Sequence, residues 1–300
     1  MKNTYLLLLT LFSISQYAQT VISIPFTVEK NTIYIYAKIN ESDSLKFIFD
    51  TGADGSVINQ LSLHKVKLHI DGKSTNIGSN GSNEVDHSST NELKLGNLTQ
   101  KELFLTIIPY ETDSFDGVLG TDIMQNHIIE IDYHKQMLHF YPQNDKSINY
   151  KGFTKMKMHS ASFYPTYVKS ALVIDGKKYA GLFGLDTGAD DALIITIPFA
   201  KKNKFVSKMI KIGAASYQGS DGAVVELPIV LCPEIQFANK SFYRIDTALS
   251  TATEGIDATD KLAGFYGNAF LKKFNIILDY KNQFIYFKVN KNLYTGFYEK

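Results

Sequence analysis

A five-residue string occurs twice in this chain of 300 residues, as Asp50-Thr51-Gly52-Ala53-Asp54 and as Asp186-Thr187-Gly188-Ala189-Asp190. Each copy closes a run of strand-forming apolar residues, Phe47-Ile48-Phe49 before the first and Leu182-Phe183-Gly184-Leu185 before the second, and apolar residues resume after it. Each leading Asp therefore stands where a strand leaves the core. An ionised carboxylate there is costly without partners, and two such sites in one chain suggest two carboxylates meant for each other.

A second signal repeats in step with the first. After copy one come Gly117-Val118-Leu119-Gly120-Thr121-Asp122, then Ile128 to Tyr133 and Met137 to Tyr141; after copy two come Gly264-Phe265-Tyr266-Gly267-Asn268-Ala269, then Asn275 to Tyr280 and Phe284 to Lys288. Self-similarity of this kind decides fold organisation before any local pattern does. The chain is one lobe built twice, with about 11 extra residues inside the second copy. A chain of this length can bury one large core or two modest ones, and the repeat decides for two: residues 20–145 and 151–300, with the polar stretch 142–150 as the boundary.

The tetrapeptide Asp-Thr-Gly-Ala followed by a hydrophobic-hydrophobic-Gly-x segment, present twice in the same order, resembles the retropepsin-like aspartic proteases, with both lobes fused in one chain as in pepsin. The likeness covers nearly everything from about Thr20 to Lys288. It implies an all-β fold of two similar closed or partly open β-barrel lobes about a central cleft. It further implies that Asp50 and Asp186 form the catalytic dyad, that Thr51 and Thr187 cross-link the loops beneath it, and that Ala53 and Ala189 are small where substrate backbone passes. Gly52 and Gly188 support the dyad by letting another chain approach closely.

The resemblance also directs attention to the segments between the paired signals. Residues 71–91, rich in Gly, Ser, Asn and Asp around Gly78, read either as an exposed loop or as a flap that closes over substrate and excludes water. A second flap is expected over Lys211 to Glu226, where Tyr217 either covers substrate or is an ordinary strand aromatic. Asp54 and Asp190 are candidate substrate-backbone ligands or simple turn and cap acids. In retroviral relatives an arginine after the second Gly braces the corresponding acid; here Thr121 and Asn268 stand there, so that brace is absent. Asp191 is matched by Gly55, so any role for it is asymmetric.

Residues 1–18 read as a secretory signal: Lys2, an apolar stretch from Leu6 to Ile14 too short to span a membrane, and a cut after Ala18. A buried first strand or a retained anchor helix is the competing reading. No prosegment separates the cut from the first strand. The composition suggests a bacterium with an AT-rich genome, hence periplasm or medium. Cys232 is the single cysteine and reads as a small core residue in an exported chain without disulfides.

Other chemistry finds no motif. The net charge of +1 offers no evident attraction to nucleic acid or an anionic membrane. His64 with His69 and His134 with His139 lack a His-Glu-x-x-His pattern, so no metal or cofactor is expected. The lysines of 201–208 read as a solvated face, and no nucleophile elbow or phosphate loop is present. The function expected is an exported aspartic endopeptidase, a monomer acting on polypeptide with no stable membrane insertion after signal cleavage. Its alternative is an inactive module of the same fold that binds extended peptide or a cell-envelope polymer.

Overall fold

The computed structural model describes residues 20–297; the candidate signal segment lies outside them. Among the described residues no helix is long and apolar enough to cross a membrane. The architecture is strand-dominated and consists of two large sheets, one of eight strands and one of thirteen.

The repeat seen in the sequence is repeated in topology, strand for strand. The eight-stranded sheet runs Thr27–Glu29, Thr32–Ile39, Leu45–Phe49, Gly117–Leu119, Ser56–Asn59, Leu98–Ile108, Ser82–Leu95, Gly72–Ile77. The corresponding part of the larger sheet runs Thr154–Ala161, Tyr164–Ile174, Lys177–Asp186, Gly264–Gly267, Leu193–Ile195, Lys240–Leu249, Val224–Phe237, Ile210–Gln218. Alternation along these segments dictates their faces: Leu45–Phe49 buries every other residue, so Leu45, Phe47 and Phe49 enter the core, as the two-residue period of a strand requires.

The other strands of the large sheet come from both repeats. Strand Ile22–Pro25 pairs with Met137–Tyr141, which pairs with Ile128–Asp132. That strand pairs antiparallel with Phe274–Asp279, its repeat counterpart, with Ile129 opposite Leu278 and Ile131 opposite Ile276. Continuous hydrogen bonding therefore runs from one repeat into the other. The main hydrophobic cluster does the same, drawing on Phe47, Phe140 and Ile131 from the first repeat and on Phe237, Phe270 and Phe287 from the second. Fully burying side chains of this size contributes roughly 1.5–3 kcal/mol each.

The apolar run 21–28 breaks at Phe26, so its two pieces enter different sheets. After Gly120 the chain makes a 3-10 turn, Thr121–Ile123. The boundary stretch 142–150 is held by Ile148, buried in a cluster with Ile128 and Ile277.

Candidate active site

In each repeat two parallel strands deliver the site. Leu45–Phe49 runs beside Gly117–Leu119, and Lys177–Asp186 runs beside Gly264–Gly267, with Asp186 in register with Gly267. The chain then turns out of the sheet at Asp50 and Asp186, so both carboxyls leave the core at equivalent points. Parallel neighbours that diverge there leave no ladder partner for the turn, and the carboxyls take its amides instead. Asp50 Oδ1 accepts from Gly52 N at 2.6 Å; Asp186 Oδ1 accepts from Gly188 N at 3.0 Å and Ala189 N at 2.9 Å.

Folding brings the two acids together. Each carboxyl lies against the other repeat's glycine. A Cβ on Gly188 would sit 2.5 Å from Asp50 Cγ, and one on Gly52 would sit 2.7 Å from Asp186 Cγ. Only glycine permits that approach. Burial, with the Asp186 charge added, raises Asp50 well above the usual carboxylate range. Burial also raises Asp186, against its backbone hydrogen bonds. Two close, partly desolvated acids favour one shared proton.

Beneath the pair, Thr51 and Thr187 interlock. Thr51 N donates to Thr187 Oγ1 at 3.0 Å and Thr187 N to Thr51 Oγ1 at 3.2 Å. Each hydroxyl then donates across to the strand of the other repeat, Thr51 to Leu185 O at 2.8 Å and Thr187 to Phe49 O at 2.7 Å. Both threonines are buried. Each N–H and each hydroxyl of the two threonines has a partner in the other repeat, which ties the two loops to one another.

Two hairpins, one from each repeat, meet at their tips. The first is Gly72–Ile77 with Ser82–Leu95, closed by a turn in which Gly78 N donates to Gly81 O at 3.0 Å. The second is Ile210–Gln218 with Val224–Phe237. Their tips are joined. Asn80 N donates to Asp221 Oδ2 at 2.9 Å, and Asn76 Nδ2 donates to Ser220 O at 3.1 Å. The loop before Thr259 completes the contact, Ile256 N and Asp257 N each donating at 3.0 Å to the carbonyls of Gly78 and Ser79.

Residues 35–123, from the second core strand to the 3-10 turn after Gly120, match the aspartyl protease family. The crystal structure of aspartic proteinase from Irpex lacteus superposes with a TM-score of 0.59 at 13% identity, over 92% of this chain and 99% of that one. No curated protein matches in sequence. The chain has the aspartic-proteinase fold, and its residues 35–123 resemble the aspartyl protease family. At that identity the superposition speaks for the fold, and the family match covers the first lobe.

Within this aspartic-protease framework the remaining candidates separate. Ala53 and Ala189 are half-buried beside the pair, and their carbonyls accept from Thr121 N at 2.9 Å and Asn268 N at 2.7 Å. Thr121 and Asn268 thus tie down the motif loops through backbone. Asp54 and Asp190 are exposed. Asp190 offers its carbonyl to Asn31 Nδ2 at 3.0 Å. Gly78 lies at the first flap tip, where a Cβ would fall 2.2 Å from Asp221 Oδ2. Tyr217 is half-buried on the second flap and donates to Asp191 Oδ1 at 2.5 Å.

Asp122, Asp257 and Tyr164 had no role in the sequence reading, and Asp191 entered it only as an asymmetry. Asp122 accepts from Ser56 Oγ at 2.8 Å and Ser56 N at 3.0 Å, and burial pushes it up to about 6. Burial raises Asp191 to about 7 against the Tyr217 hydrogen bond, and burial with the nearby Asp186 charge does the same for Asp257. Tyr164 reaches Asp186 itself. The repeat alignment carried one signal for these: positions at which the two copies differ close to a matched motif, such as Asp191 against Gly55. Among the described residues no group of His, Cys, Asp and Glu is placed to hold a metal ion.

Proposed function

We propose that the chain is an aspartic endopeptidase, exported to the periplasm or the medium, that hydrolyses peptide bonds of polypeptides as a monomer. The observation that carries this reading is the approach of Asp50 and Asp186, one from each repeat and each packed against the other repeat's motif glycine, over the Thr51–Thr187 interlock. The apolar stretch after Lys2 supports export.

One carboxyl of the pair is protonated and the other ionised across a window below neutrality; such pairs, the aspartic-protease dyad among them, are a standard illustration of the effect. The ionised member takes a proton from a water as its oxygen bonds to the peptide carbonyl carbon. The protonated member gives its proton to the carbonyl oxygen. As the gem-diol collapses, the carboxyl that gave its proton recovers one from a gem-diol hydroxyl, and the carboxyl that took the water's proton delivers it to the departing amine as the C–N bond breaks. No acyl-enzyme forms. The interlocked threonines and backbone amides hold the carboxyls in place, so little reorganisation accompanies charge movement.

The test is cleavage of an unfolded protein or peptide library at mildly acidic pH, with and without pepstatin. The expected result is pepstatin-sensitive cleavage that falls at least about 1,000-fold in Asp50→Asn and in Asp186→Asn, because members of a unit are not additive. Substantial hydrolysis by pure Asp186→Asn protein overturns the assignment.

A further inference from the structure

The repeats match strand for strand, yet a residue beside the dyad has no counterpart. Gly184 and Ile48 each stand two residues before their Asp, and they pair across the sheet with Tyr167 and Tyr34. Three residues before those tyrosines lie Tyr164 and Asn31. Asn31 uses its side chain elsewhere, donating to the carbonyls of Asp190 and Phe297 and accepting from Lys272 Nζ at 2.6 Å. Tyr164 is buried, and its hydroxyl lies 3.3 Å from Asp186 Oδ2.

The surroundings are shaped around that phenol. A Cβ on Gly184 would fall 2.6 Å from the Tyr164 ring, where the first repeat carries Ile48, and a Cβ on Gly52 would fall 2.6 Å from the Tyr164 hydroxyl. Phe265 packs on the ring with centroids 5.1 Å apart. Two glycines and one aromatic thus hold the hydroxyl against one carboxyl of the pair and leave the other without an equivalent.

We propose that Tyr164 is a positioning residue of the dyad: its phenol donates to Asp186 Oδ2 and so places the negative charge on Asp186 and the shared proton on Asp50. In catalytic terms this rests on the endopeptidase reading and makes Asp186 the base that takes the proton from water. A donor to the ionised form of an acid stabilises that form. Burial and the Asp186 charge hold the Tyr164 hydroxyl far above its ordinary range, so it remains a donor. The other titratable groups facing the pair are Asp190, Asp191 and Asp257 around Asp186, and Tyr110 and Tyr280 toward Asp50. They are unchanged by a substitution at 164.

The experiment is a ¹³C NMR titration of the aspartate carboxyls in the full chain and in Tyr164→Phe, assigned with Asp50→Asn and Asp186→Asn and paired with the pH profile of peptide cleavage. Loss of the donor makes the Asp186 carboxylate hold its proton to higher pH. The lower of the pair's two steps therefore moves up by about half to one pH unit, and the acidic limb of kcat/KM moves with it while KM changes less than about twofold. Tyr164→Phe keeps the ring packed; should it not fold, Gly184→Ala displaces the ring with its hydroxyl intact and gives the same upward shift. A folded Tyr164→Phe whose lower step coincides with that of the parent overturns the proposal. If the parent cleaves no peptide while its carboxyls shift as expected, the endopeptidase reading fails and the Tyr164 bond stands.

Discussion

At the scale of single residues, the threonine interlock has a stability consequence separate from chemistry. Thr51→Val keeps the shape but leaves Thr187 N without its acceptor and Leu185 O without its donor, both buried. Unsatisfied buried groups cost about 1–3 kcal/mol each, so Thr51→Val is expected to lose about 2–4 kcal/mol, read from the denaturant midpoint at unchanged slope. The neutral acids give a second expectation. Asp191 and Asp257 are raised by burial to about 7 in the fold, against about 4 in an unfolded chain. For acids raised on folding, the native state holds more protons between those values. Their stabilisation is full below about pH 4, fades as pH rises, and is gone above about pH 7. Melting temperatures measured from pH 4 to pH 8 should fall across that interval, and less steeply in Asp257→Asn. The paired Asp50 and Asp186 were legible in sequence because the string that carries them occurs twice. Tyr164 and Asp257 were not, because each owes its place to register and loop path, which a single unrepeated residue does not advertise.

Among the elements, the hairpin tips matter most. The stretch around Gly78 read either as an exposed loop or, through the family resemblance, as a flap; that it turns was legible in its Gly, Ser and Asn content. Its destination was not, since Asn80, Asn76 and Asp221 meet only when the repeats are folded face to face. Asp221 secures both hairpins, accepting from Asn80 N across the cleft and from Ala223 N at 2.8 Å within its own turn. Asp221→Ala removes the acceptor for Asn80, a hydrogen bond to a charged group worth about 1.5–3 kcal/mol. Amide hydrogen exchange at Asn80 and its neighbours is expected to rise at least about tenfold, with exchange in the core strand Leu45–Phe49 unaltered. Tyr217 shows the complementary lesson. It lies on the second hairpin, and its hydroxyl is directed to Asp191, at a position where the first repeat has Gly55.

For the whole molecule, the duplicated order of eight strands was foreseeable from two motifs in constant sequence, whereas the joining of the repeats was not. Ile128–Asp132 and Phe274–Asp279 read as closing hairpin strands of separate lobes, and nothing in their alternation announces that each is the other's neighbour. The shared pairing and the shared core predict one cooperative unfolding event. Calorimetry of the full chain should give a single peak with calorimetric and van't Hoff enthalpies in agreement; two resolved peaks would contradict it. The same seam bears on how such a protein can move. A fabric stitched straight through the middle resists spreading like a hinged book, which leaves the few hydrogen bonds at the tips as the contact between repeats that parts with least loss.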